Sequence, residues 1–219
     1  MNTLPIERAY GIKAREAEKL GALLVHYSTD YVFSGEGAAP WRESDATAPV
    51  NVYGASKLAG EQAVLASGAD ALILRTSWVY GGPGQNFVNT MLRLAGERER
   101  LTVVDDQIGA PTASRFLADA TLAALAQDWR ARAGLYHLSA SGDTSWCGFA
   151  RAIVEQALAH GQALKLSAAD IAPIPSSNYP TPARRPANSR LDCSAFEQAF
   201  AVHRPHWRAQ LAAHFASRG

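Results

Sequence analysis

Tyr53-Gly-Ala-Ser-Lys57 carries the strongest local signal for chemistry in this chain. On a helix, positions four apart share one face, so the phenol and the ammonium project the same way. A phenol with its ordinary pKa of about 10 is a poor acid near neutrality, and a neighbouring cation lowers that pKa toward general acid–base use. The chain has seven tyrosines but only four lysines (Lys13, Lys19, Lys57 and Lys165), and chance alone produces such a pair in about one chain in eight of this composition. The pair therefore needs company.

Three further segments supply it. His26-Tyr-Ser-Thr-Asp-Tyr-Val-Phe33 leaves an apolar run at the point where open α/β sheets place their ligands, and it sets hydroxyls and a carboxylate there. Caps on neighbouring backbone groups are the competing explanation. Arg75-Thr-Ser-Trp-Val-Tyr-Gly81 ends a second apolar run, with Trp78 and Tyr80 as flat surfaces for ligand stacking or for packing. Pro182-Ala-Arg-Arg-Pro-Ala-Asn-Ser-Arg190 is a proline-stiffened loop whose Arg184 and Arg185 can fork onto a diphosphate or simply face solvent. His203-Arg-Pro-His206 lacks the helix and glutamate of a zinc protease motif and reads as a surface turn, so no metal site is expected. Ser139 and Ser141 lie in no nucleophile elbow.

The elements that must position these groups follow from periodicity. Residues 13–20 read as a helix closed by Gly21, and 22–28 as a strand buried on both faces. A Gly/Pro-rich loop from Ser34 to Pro49 precedes a helix from about Asn51 to Ala66. A second buried strand covers 71–79, a helix opens at Asn86 and runs to about Arg100, and 101–104 is a short strand. Helices at 115–127 and 146–159 flank a strand at 134–138. Residues 172–191 read as loop, and Ser194-x-x-Glu197 as the capping box of a terminal helix. Strands alternating with helices predict a parallel, doubly wound α/β sheet.

Composition narrows the class. The 219 residues are 47% hydrophobic and 19% charged, which excludes disordered and fibrous chains. A net charge of +1 leaves no electrostatic footprint for nucleic acid or an anionic membrane. No apolar run reaches a membrane span, and the N-terminus, with Glu7, Arg8, Lys13 and Arg15, has no secretory h-region. Two cysteines, Cys147 and Cys193, form no framework and fit a reducing cytoplasm.

In order and spacing these segments resemble the dTDP-4-dehydrorhamnose reductase family of extended short-chain dehydrogenase/reductases. The resemblance runs from about Ala14 to the C-terminus through HYSTDYVF, NVYGASKLAGE, RTSWVYG, DDQIGAPT, GLYHLSASG and YPTPARRPANSRLD. It implies a Rossmann-type core over residues 1–140 and a smaller nucleotide-sugar lobe over 141–219, interleaved with segments near 81–112. It implies a catalytic set of Thr29, Tyr53 and Lys57: Tyr53 protonates the sugar's C4 oxygen, Thr29 hydrogen-bonds it, and Lys57 tunes the phenol. Tyr53 and Lys57 also meet the coenzyme, NADPH or NADH. Asp30, Tyr31 and Trp78 match positions at the sugar, and Asn86, Gln107 and Arg185 nucleotide contacts. The implied product is dTDP-L-rhamnose.

One departure stands out against that family. Its members begin with a strand, a glycine-rich turn and a helix that receives the dinucleotide diphosphate. Residues 1–13, MNTLPIERAYGIK, do not match this pattern, and Gly35-x-Gly37 is rejected because Pro40 stands at the sixth motif position and no helix follows. The expectation is a partial Rossmann sheet lacking its first strands, with 22–28 as an exposed apolar edge covered by a second copy in a homodimer. The sequence leaves three readings open. They are a reductase whose N-terminal half is lost or supplied elsewhere, a non-catalytic nucleotide-sugar or partner-binding module, and a remnant.

Overall fold

The computed structural model describes residues 6–217. Residues 1–5, part of the stretch that does not match the glycine turn, lie outside the described residues. In chain order the elements are α1 (Ile6–Lys19), β1 (Leu24–Thr29), α2 (Val52–Leu65), β2 (Ala71–Thr76), β3 (Val79–Tyr80), α3 (Phe87–Glu97), β4 (Leu101–Val104), β5 (Ile108–Gly109) and β6 (Thr112–Ala113). There follow α4 (Ser114–Leu125), β7 (Gly134–His137), β8 (Thr144–Ser145), α5 (Trp146–Ala159), β9 (Ile171–Ile174), β10 (Asn188–Ser189), α6 (Ser194–Phe200) and α7 (Trp207–Ala216). No helix among the described residues is long and apolar enough to cross a membrane.

The chain forms two compact units, each assembled from interleaved segments. The first comprises 1–77, 120–139 and 183–203. Its centre is a parallel sheet in the order β1-β2-β7, with Leu24 opposite Ala71 and Leu72 opposite Gly134. β2 is buried at every position, and burying Leu72, Ile73 and Leu74 contributes roughly 2 kcal/mol each. Alternation sends successive side chains to opposite faces. His26 meets Tyr10 of α1, with ring centroids 4.4 Å apart, while Tyr27 reaches the other face and hydrogen-bonds Thr121 at 2.6 Å. Ala14, Val64, Ala71 and Ile73 form the core beneath α1 and α2, and Tyr136 packs on Phe196 and Phe200 of α6. Helices on both faces make this a doubly wound arrangement, as predicted.

The second unit comprises 78–119, 140–182 and 204–219. Its core gathers Tyr80, Val88, Met91, Phe149, Ile153, Ile171, Trp207 and Phe215 around α5. β3 pairs with β6 and β4 with β9, both parallel, and β5 with β8 antiparallel.

Several local expectations change. The strand predicted over 71–79 ends at Thr76, because Trp78 adopts φ 49°, a left-handed conformation that no strand continues through. The predicted loop 172–191 contains most of β9 and all of β10. The capping box at Ser194 does not form: Cys193 holds the N-cap without a side-chain bond, and Asp192 Oδ1 accepts the Ser194 N–H at 3.0 Å. A capping box is present instead at Ser167 and Asp170. The helix at Ser194 is not terminal either, because α7 follows it, with His206 of the predicted surface turn as its N-cap. The compact units break at 139/140 and place 183–203 with the three-stranded sheet.

Candidate active site

At the carboxyl end of β1 the backbone turns into a short 3₁₀ segment, Asp30–Val32, capped by Thr29, whose Oγ1 accepts the Tyr31 N–H at 3.2 Å. The same hydroxyl donates to Asp30 Oδ1 at 3.0 Å. Thr29 and Asp30 are 5% and 3% exposed. Asn51 starts α2, its Oδ1 accepting the Gly54 N–H at 2.8 Å, which puts Tyr53 on the first turn and Lys57 one turn on. A Cβ at Gly54 would lie 2.1 Å from the Tyr31 carbonyl oxygen, so the glycine permits α2 to dock directly on the 3₁₀ backbone. That approach sets the Tyr31 and Tyr53 rings edge to face, 5.7 Å between centroids.

The electrostatics separate these groups. Burial pushes the Asp30 carboxyl up to about 7, against the hydrogen-bonding influence of Ser189, Thr29 and its own backbone. Burial raises Tyr31 to about 12, with the Asp30 charge adding to it and Arg185 opposing it. Tyr53 is raised by burial, opposed by the neighbouring Thr29 hydroxyl, and raised further by Asp30 and Tyr10. Lys57 is placed one turn on from the phenol. Its Nζ donates to the Tyr27 carbonyl at 2.6 Å and stands 5.3 Å from the centre of the Tyr10 ring. Its charge helps hold His26 down to about 4, after burial and ahead of Lys13.

Of the predicted residues, Thr29, Asp30, Tyr31, Tyr53, Lys57 and Arg185 fall in the first unit. Trp78, Asn86 and Gln107 fall in the second. There Trp78 stacks on Trp146 at 3.6 Å, in a space that exists because Gly109 has no Cβ to fill it. Asn86 caps α3 by accepting the Asn89 N–H at 3.0 Å, and Gln107 Nε2 donates to Ser176 Oγ at 2.9 Å. A cavity of about 850 Å³ in that unit is lined by Tyr80, Phe116 and His214 and by none of the predicted residues.

Sequence reasoning read the start of α2 at Asn51 but missed what Asn51, Gly54, Ser189 and Glu61 hold in place in the first unit. Asn51 not only caps α2 but donates from Nδ2 to the Arg184 carbonyl at 2.8 Å, tying the basic loop to the start of the helix. Gly54 and Ser189 stand inside the quoted motifs, yet only the fold reveals their neighbours. Glu61, 1% exposed, accepts from Arg75 Nε at 2.9 and 3.2 Å and from Nη2 at 2.6 Å and so fixes α2 on β2. A lone glutamate within an apolar helix face was the available signal.

A phenol and an ammonium one turn apart, with a threonine hydroxyl at the carboxyl end of a parallel edge strand that is only partly buried, match the site of an extended short-chain dehydrogenase/reductase. A family model described as the RmlD substrate binding domain matches residues 7–218. The chain belongs to the dTDP-4-dehydrorhamnose reductase family. It is 51% identical over 206 residues to a dTDP-4-dehydrorhamnose reductase of Burkholderia thailandensis, an alignment covering 91% of this chain and 69% of that protein. The enzyme of the same name from Escherichia coli K12 is 53% identical over 197 residues, 89% of this chain and 65% of the other. The chain thus spans about two thirds of the length of these curated relatives. A crystal structure of dTDP-4-dehydrorhamnose reductase from Bacillus anthracis in complex with NADP is similar at TM-score 0.87 and 36% identity, over 96% of this chain and 71% of that one.

Proposed function

We propose that this chain carries the proton-donating part of an NADPH-dependent reductase that converts the C4 keto group of dTDP-4-dehydro-L-rhamnose to the alcohol of dTDP-L-rhamnose. The observation that carries the reading is the cluster of Tyr53, Thr29 and Asp30 at the carboxyl end of β1, beside Lys57 on the same helix face as the phenol. Tyr53 is 54% exposed, so its hydroxyl can meet a ligand. The phenol is protonated at neutral pH, the form a general acid needs, and its raised proton affinity must be lowered by the bound ligands or by Lys57 for the proton to be given up. Thr29 orients the accepting oxygen, and Asp30 and Tyr31 flank the sugar. Arg185 is assigned to the nucleotide, and Trp78, Asn86 and Gln107 are assigned to the nucleotide-sugar on family resemblance.

When bound, NADPH supplies the hydride to C4. The donor set of phenol and ammonium fits the nicotinamide-ribose end of that coenzyme, with Tyr53 and Lys57 as its holders. The turn at Gly35 and Gly37 is followed by no helix before Val52, so it does not supply a diphosphate seat. The two thiols, Cys147 and Cys193, are buried and form no disulfide, which suits a cytoplasmic enzyme. The outer edge of β1 is assigned to a second copy of the chain.

Calorimetric titration with NADPH and with dTDP, followed by turnover of the 4-keto sugar nucleotide, tests the reading. Tyr53→Phe is expected to cut turnover by about 10²- to 10⁴-fold while leaving dTDP binding in place. Wild-type turnover that survives this substitution would overturn the assignment.

A further inference from the structure

We propose that Asp30 is a positioning residue whose protonation decides which way the Thr29 hydroxyl points: toward Asp30 when the carboxyl is ionised, and toward the ligand's oxygen when it is protonated. The inference rests on the reductase reading for its catalytic consequence, but the coupling between the two side chains stands on geometry alone. Thr29 Oγ1 has one proton to give. In the structure it is given to Asp30 Oδ1 at 3.0 Å, while the oxygen accepts from the Tyr31 N–H and lies beside the Tyr53 phenol. A hydroxyl spent in this way has no proton left for a ketone oxygen. A proton on Asp30 Oδ1 turns that oxygen into a donor to Thr29 Oγ1, reverses the bond and releases the Thr29 proton.

The surroundings of Asp30 make that protonation accessible. It is 3% exposed, and Oδ2 makes no well-formed hydrogen bond, although the Ser189 hydroxyl is near enough to favour the charged form. The titratable neighbours are Tyr31 on its own turn and Tyr53 on α2, both of which feel its charge, and the residue facing it from β10 is Ser189. No cation is among the influences on its carboxyl. Of the cations on neighbouring elements, Arg75 of β2 is bound to Glu61, Lys57 of α2 to the Tyr27 carbonyl, and Arg185 of the loop before β10 acts on Tyr31. His137 of β7 is neutral near pH 7 and hydrogen-bonds the Trp41 carbonyl at 3.0 Å. A buried carboxyl without a cation titrates upward, into the range where the enzyme would work.

The test has two readouts on the full chain. Carbon-detected NMR with labelled aspartate and threonine is expected to show one carboxyl titrating near neutrality, absent in Asp30→Asn, with the Thr29 side-chain signals moving at the same midpoint. Carboxyls that all titrate below pH 5, or Thr29 signals that ignore the transition, would overturn the proposal without reference to turnover. The second readout is the pH profile of kcat/KM, expected to fall about tenfold between pH 6 and pH 8 in wild type and to flatten in Asp30→Asn. Ser189→Ala guards against a variant that fails to fold: removing a group that favours the charged form should move the NMR midpoint and the rate limb upward together. A limb that stays while the midpoint moves refutes the catalytic role. A wild-type chain without turnover counts against the reductase reading, and the NMR coupling is then judged by itself.

Discussion

His26 and His137 are buried histidines held neutral, and the chain's acid response follows from them. Burial, with the charges of Lys57 and Lys13, lowers His26 to about 4, and burial with Arg75 lowers His137 to about 4. In the unfolded chain both bind a proton near pH 6.5, so between 6.5 and 4 the unfolded state holds more protons and stability falls as the pH falls. Asp30 works the other way. Its folded pKa of about 7 exceeds the unfolded value of 3.8, so the folded state holds the extra proton and stability rises on acidification across that window. Two histidines against one aspartate leave a net loss of about 1 kcal/mol per pH unit near pH 5.5, and Asp30→Asn should steepen it roughly twofold. Urea unfolding at pH 6.5, 5.5 and 4.5 measures both slopes. A variant curve no steeper than wild type would mean that Asp30 is ionised in the folded protein at pH 5.5. None of these shifts was legible in the sequence, because each depends on what covers the side chain and not on its neighbours along the chain.

The helix that carries Tyr53 and Lys57 is positioned by contacts at three levels. Asn51 caps it, Gly54 lets its first turn touch the Tyr31 carbonyl, and Glu61 anchors it to Arg75. Gly54→Ala inserts a methyl where 2.1 Å is available against backbone, so the turn must move and carry Tyr53 with it. We expect a loss of about 1–3 kcal/mol in stability and a larger loss in turnover than Ala55→Gly produces on the adjoining exposed position. Equal losses for the two variants would count against the docking argument. The start of this helix, the Gly21 stop and the Asn86 cap were legible because each is a local event with a side-chain signature. The break at Trp78 was not, since its left-handed backbone depends on the packing that Gly109 permits. Nor was β9, whose partner β4 lies some seventy residues earlier in the chain. The chemistry-bearing groups of the site were read before their supports for the same reason: Tyr53 and Lys57 announce themselves by spacing, whereas Ser189 matters only because the fold brings it to Asp30.

Scale changes the role of Lys57 again. Leu24 donates its N–H to Asp70 on the β2 side, so the backbone groups of Val25, Tyr27 and Thr29 alternate toward the outer edge of the sheet. Among the described residues no strand pairs with that edge, and the Lys57 ammonium bonds the Tyr27 carbonyl on it. A second copy adding its own β1 across a two-fold axis would bond the same backbone groups and displace the ammonium. The displaced Lys57 would stay on the helix face it shares with Tyr53, where its charge would favour the phenolate, the role the family resemblance implies. Such a homodimer would make assembly and catalytic tuning one event, a consequence that can be tested beyond mass. Sedimentation equilibrium should report a dimer, and Val25→Pro, which places a residue without an N–H at the outer edge, should shift it to monomer. The phenol of Tyr53, followed by its ultraviolet ionisation against a Tyr53→Phe control, should titrate at lower pH in the dimer than in the Val25→Pro monomer. A chain that is strictly monomeric at every concentration removes the assembly. A dimer whose Tyr53 titrates as the monomer does leaves Lys57 on the Tyr27 carbonyl, and the tuning must then be sought from the bound ligands.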